Sequence, residues 1–112
     1  MSVEMSKPWH AATDAELSAI PCTTGVYEVR EADGTVVDIG YAGARETFGL
    51  RSRIAAVVAA ESVDRLEFRY ECHVQYMTRY AELVLVHRAL RGGDDPPRVA
   101  RRAIPVTGRL AP

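Results

Sequence analysis

The chain has 112 residues, with 14 Lys+Arg against 15 Asp+Glu and a formal net charge of −1. That length holds one hydrophobic core and excludes two domains. Hydrophobic residues make up 47% and charged residues 26%, which excludes a disordered chain or a fibre. No apolar run approaches the roughly 18 residues of a membrane span, so no membrane partner is expected.

Met1 to His10 carries Glu4 and Lys7 and no apolar centre, unlike a secretory signal, and a cytoplasmic protein is expected. Residues 1–21 read as a lead-in. Thr13 and Asp14 cap a short helix there, with Leu17 and Ile20 on one face, and Pro21 stops it. Residues 25–31 form a strand, in which Tyr27 to Glu31 alternates apolar and polar. Asp33-Gly34 predicts a two-residue hairpin turn, and Thr35 to Ile39 the return strand. Gly40, Gly43 and Gly49 mark a loop. Leu50, Ile54, Val57 and Val58 fall on one face of a helix over 50–60. Arg51 and Arg53 stand in its first turn, where they oppose the helix dipole.

Residues 65–73 alternate again, with Leu66, Phe68, Tyr70 and Cys72 on one side. A long helix over 74–91 carries two apolar stripes. One is Met77, Ala81, Val84 and Leu85; the other is Tyr76, Tyr80, Leu83, His87 and Leu90. Gly92-Gly93 ends the helix and Pro96-Pro97 prevents its resumption. The order helix, strand, strand, helix, strand, helix, tail predicts a small α/β (α+β) domain with one sheet.

Few residues invite chemistry directly. Cys22 and Cys72 make no disulfide framework, and His73 adjoins Cys72 without a second pair at zinc-site spacing. Gly43 to Gly49 is no phosphate loop, because Leu50 stands where a lysine is required. His73 and His87 read as structural histidines. Glu82 lies in the most apolar part of the long helix. A carboxylate there is either at the edge of the stripe or partly buried with a partner.

Four segments resemble a known family in order and spacing. They are Gly25-Val26-Tyr27, Asp38-Ile39-Gly40 after a hairpin, Leu50-Arg51-Ser52-Arg53-Ile54, and Glu82 on a later helix. Together they resemble the GIY-YIG nuclease domain over about residues 22–98. The resemblance implies a three-stranded antiparallel sheet flanked by helices. It implies that Tyr27 lies near the attacking water as general base or proton relay. It implies Arg53 on the scissile phosphate, with Arg51 as its nearest competitor. It also implies Glu82 as the single protein ligand of Mg2+ or Mn2+.

Two positions depart from the pattern. Asp38 replaces the tyrosine of the second motif, with Tyr41 the nearest phenol, and Val57 stands where the family often has an aromatic residue or histidine. Two readings therefore stand side by side. One is a metal-dependent endonuclease acting on DNA. The other is a catalytically degenerate fold that binds nucleic acid or protein.

The near-zero net charge is a cancellation. Residues 1–50 hold three basic and eight acidic groups, and residues 86–112 six basic and two acidic. In the basic tail over 99–112, and just before it, Arg98, Arg101 and Arg102 are candidate phosphate contacts. Without an appended recognition domain, a protein partner is expected to supply targeting.

Overall fold

The computed structural model describes residues 4–61 and 65–101. Its elements in chain order are β1 (His10–Ala11), α1 (Asp14–Ser18), β2 (Gly25–Glu31), β3 (Val36–Ala42), α2 (Gly49–Ala60), β4 (Leu66–Cys72) and α3 (Tyr76–Leu90). The strands form one four-stranded antiparallel sheet in the order β1-β4-β2-β3. This is the expected α+β fold with one strand more than expected. β1 is only two residues long and pairs through His10 with Phe68 and Ala11 with Glu67. Among the described residues no helix is long and apolar enough to cross a membrane.

The hairpin between β2 and β3 uses three loop residues rather than two. The amide of Gly34 donates to the Glu31 carbonyl at 2.9 Å, and the Glu31 amide donates to the Thr35 carbonyl at 2.8 Å. Gly34 has φ +98°, the left-handed residue that closes this three-residue turn. The Asp33 carboxylate accepts the Thr35 amide at 2.9 Å and fixes the turn. β3 also runs further than its apolar pattern suggested. It continues through Gly40, Tyr41 and Ala42, because Tyr27, Val26 and Gly25 pair with them in turn.

Strand alternation sends side chains to two different environments. Tyr27, Val29, Leu66 and Phe68 meet Leu50, Ile54 and Val57 of α2, with Ile20 closing the cluster. Val26 and Ile39 meet Leu83 and Val84 of α3, together with Met5 and Val99. Each aliphatic side chain so buried contributes about 1.5–3 kcal/mol relative to exposure. The sheet thus lies between α2 and α3.

The second face also holds charge. Glu28 stands opposite Arg69 and Arg30 opposite Glu67 in the β2–β4 register. Both pairs close as ion pairs, Arg69 Nε to Glu28 Oε1 at 2.6 Å and Arg30 Nε to Glu67 Oε1 at 2.7 Å. The Trp9 ring covers both cations, 4.0 Å from the Arg30 guanidinium carbon and 4.3 Å from that of Arg69. Burial pushes the Glu28 carboxyl above its ordinary range, and the adjacent Arg69 pulls it back in part.

The described chain does not trail away after α3. Residues 97–101 are helical, and Val99 is buried among Met5, Ile39 and Leu83. The packed unit therefore includes Val99, the first residue of the basic tail expected over 99–112.

Candidate functional site

Tyr27 is fully buried. Its hydroxyl donates to Oδ2 of Asp38 at 2.9 Å, and Asp38 is itself fully buried. The register explains the meeting. Tyr27 lies opposite Gly40 and Asp38 opposite Val29, so the two side chains are diagonal neighbours on the α2 face. Gly40 makes room: a Cβ there would stand 2.2 Å from the Tyr27 hydroxyl oxygen.

Arg98 approaches from the C-terminal segment. Its Nε is 3.6 Å from Asp38 Oδ2, and its Nη1 donates to Glu61 Oε2 at 2.9 Å. Asp38 is thus an interior acceptor beside a guanidinium, not a charge on a surface that phosphate would approach.

Arg51 also turns inward. Its Nε donates to the Ile20 carbonyl at 2.8 Å, which ties the start of α2 to the end of the α1 segment. That bond accounts for a cation in the first turn of α2. Arg101 is 63% exposed and reaches Glu61 only at 4.0 Å. Arg102 lies outside the described residues.

Arg53 and Tyr41 do come together. They line a groove of about 390 Å³ with Gly40, Arg45, Glu46 and Tyr80. Arg53 Nε is 3.8 Å from Glu46, and both side chains remain partly exposed. Tyr41 stacks on Tyr76 with ring centres 5.6 Å apart and meets Tyr80 edge-on at 5.2 Å. Tyr76 and Tyr80 are one helical turn apart on α3, which makes them a single aromatic support for Tyr41. The groove therefore combines two guanidinium groups, one carboxylate and two phenol rings. Guanidinium forks of this kind suit planar oxyanions, and the phenols present flat apolar faces.

Glu82 stands apart from this groove. Its Oε1 accepts from Arg79 Nη1 at 3.2 Å. Arg79 is held more firmly by Glu71 on β4, through Nε at 2.8 Å and Nη2 at 3.0 Å. Hydrogen bonding to Arg79 holds the Glu71 carboxyl below its ordinary range and raises Arg79 above its own. This triad belongs to the β4 side of α3, whereas the groove opens at β3, with β2 between them.

The structure accordingly brings Arg53 to Tyr41 but brings neither Tyr27 nor Glu82 to them. Helix and strand periodicity account for this. Tyr27 is fully buried in the core beneath α2, and Glu82, two residues from Tyr80, lies on another flank of α3. Among the described residues no three His, Cys, Asp or Glu side chains gather as a metal cage. Glu82, the one glutamate that the resemblance assigns to a metal, is instead the acceptor of an Arg79 hydrogen bond and is not among the residues that line the groove.

Sequence reading missed Tyr80, Arg45 and the Tyr27–Asp38 bond. The spacing of Tyr76 and Tyr80 was visible but read as core. The profile of a domain family matches residues 1–90, which span β1 to α3 and every residue of the groove. The chain belongs to this family. It is described as a domain of unknown function (DUF7508). No curated protein and no solved structure matches the chain.

Proposed function

We propose that this protein is a cytoplasmic DNA-binding module on a GIY-YIG-like scaffold that has given up hydrolysis. One observation carries the reading: the Tyr27 hydroxyl is fully buried and donates to Asp38 at 2.9 Å. A general base must reach the water it activates, and this hydroxyl is committed to the interior. Asp38, the departure from the family pattern, is the acceptor that holds it there.

The binding surface in this reading is the groove of Arg45, Arg53, Tyr41 and Tyr80. Arginine suits phosphate oxygens through its planar fork, and the phenols offer faces to sugars and bases. Arg98 serves the fold, since it is tied to Glu61 and lies beside Asp38.

The test uses purified protein with single-stranded, duplex and branched DNA, with and without Mg2+ or Mn2+. The expected result is binding that weakens steeply with salt, as counterion release requires, and no cleavage. Arg53→Ala weakens binding and flattens the salt dependence. Cleavage that disappears in Glu82→Ala, with the fold intact, overturns the proposal.

A further inference from the structure

A second cavity, of about 130 Å³, lies between the sheet and α3. Most of its charges are matched. Arg69 donates to Glu28 at 2.6 Å, Arg30 is held by Glu67 at 2.7 Å, and the Trp9 ring covers both cations. Glu28, Arg30, Arg69 and Trp9 all line the cavity, and so do Glu4 and Arg91. Among the described residues neither Glu4 nor Arg91 forms an ion pair. The chamber therefore keeps one carboxylate and one guanidinium over, which line the same space and do not meet.

These two groups stand at different ends. Arg91, with His87, Gly34 and Val36, also lines an adjoining cleft of about 460 Å³ at the β2–β3 turn. Glu4 and Glu28 do not line that cleft. The electrostatics agree. Burial first, and then the Arg91 cation, push the His87 imidazole down, whereas burial, with Glu4 adding to it, pushes the Glu28 carboxyl up. One end is thus Arg91 beside His87, whose imidazole makes no hydrogen bond to a described residue. The other end is Glu4 beside Glu28.

Between the ends, α3 supplies an apolar wall. Leu83, Val86 and Leu90 line the cavity from the same helix face as His87 and Arg91. Leu90 is 60% exposed, a large side chain left open beside the chamber. A simple anion in this space would meet the carboxylates of Glu4 and Glu28, and a simple cation would meet Arg91 and Arg30. A dipolar molecule satisfies both ends at once through charge-assisted hydrogen bonds. The cavity has the volume of about four water molecules, so that molecule is small.

We infer that the chamber binds a small aliphatic α-amino acid, with its ammonium on Glu4, its carboxylate on Arg91 and His87, and its side chain against Leu83, Val86 and Leu90. The site lies at the Val36 end of β3, whereas the arginine groove lies at the Gly40 end, and it does not rest on the DNA-binding reading.

Equilibrium dialysis of the full chain with labelled L-valine tests it. The competitors are isovalerate, which lacks the ammonium, and isobutylamine, which lacks the carboxylate. Saturable uptake of L-valine is expected, with each competitor at least roughly tenfold weaker than unlabelled L-valine. Glu4→Gln and Arg91→Gln each weaken L-valine binding roughly tenfold. Both side chains are exposed, so both variants should keep the parent's urea midpoint. L-alanine or L-leucine bound in preference to L-valine, with the same dependence on Glu4 and Arg91, upholds the site. Isovalerate or isobutylamine bound as tightly as L-valine overturns the inference, as does unchanged L-valine affinity in either variant. Absence of saturable binding of L-valine, L-alanine and L-leucine at millimolar concentration also overturns it.

Discussion

The Tyr27 hydroxyl and the Asp38 carboxylate form a 2.9 Å hydrogen bond with both side chains fully buried. A buried carboxylate that loses a donor pays the desolvation penalty of an unmet acceptor. Tyr27→Phe is therefore expected to lower stability by about 1–3 kcal/mol in a urea titration. A double-mutant cycle with Asp38→Asn should give a coupling energy of at least about 0.5 kcal/mol. Unchanged stability in Tyr27→Phe would show that the hydroxyl is spare in the folded state, and would return it to a catalytic candidacy.

Gly40→Ala tests the same place sterically. The new Cβ would meet the Tyr27 hydroxyl oxygen at 2.2 Å and Cζ at 2.4 Å. The ring is enclosed and cannot retreat freely, so a loss of about 2 kcal/mol or more is expected. Gly34→Ala is the control. Nothing lies within 4 Å of its Cβ, and only the left-handed φ of +98° opposes it, at about 1–2 kcal/mol. Equal losses at the two positions would contradict the packing described here.

Arg98 and Arg101 separate fold from surface. Arg98 donates to Glu61 at 2.9 Å and is mostly covered, whereas Arg101 is 63% exposed. Arg98→Ala should destabilise by about 1–3 kcal/mol, since it removes the hydrogen bond to Glu61 and the guanidinium beside the buried Asp38. Arg101→Ala should stay within about 0.5 kcal/mol of the parent. Thermal unfolding of the two variants, side by side, reads the difference.

His87 sets a direction with pH. Burial, with the neighbouring Arg91 cation, pushes its imidazole below the ordinary value, and Asp95 and Asp94 offset this in part. With a folded pKa below the unfolded one, the native state resists the proton. Above about pH 6.5 the ring is neutral in both states and contributes nothing. As pH falls below that value the unfolded chain takes the proton first and stability drops. His87→Gln should lose less stability than the parent between about pH 7 and pH 5. The same slope in both proteins would remove His87 from the account.

Much of the fold was legible because strand and helix periods were clean. The alternation of Leu66, Phe68, Tyr70 and Cys72 located β4, and Leu50, Ile54 and Val57 located α2, within a residue or two. β1 was not legible, since two residues carry no period and their partner strand is far along the chain. The end of β3 was hidden by Gly40 and Gly43, which read as loop. Gly40 is in fact the space that Tyr27 fills.

The site was legible only in part. Arg53 and Tyr41 were both singled out and do share a groove. Tyr27 and Glu82 were linked to them by order along the chain, and order does not say which face of a sheet a side chain takes. One residue of register decides that. The Arg98 contact was out of reach for the same reason: nothing local to 98 indicates that the segment returns to Glu61 and Asp38.

Met5 and Val99 enter one cluster under α3, whereas the α2 cluster draws its members from Ile20 to Phe68. The two faces of the sheet therefore differ in when they can close. The hydrophobic cluster under α2 is complete once the middle of the chain has collapsed. The α3 face must wait for segments from nearly opposite ends of the described chain, and it bears the larger loop-closure entropy. Pulsed hydrogen exchange during refolding should protect amides of α2 before those of α3 and the strap at 97–101. The half of the molecule that hides Tyr27 would then be in place before the half that props Tyr41.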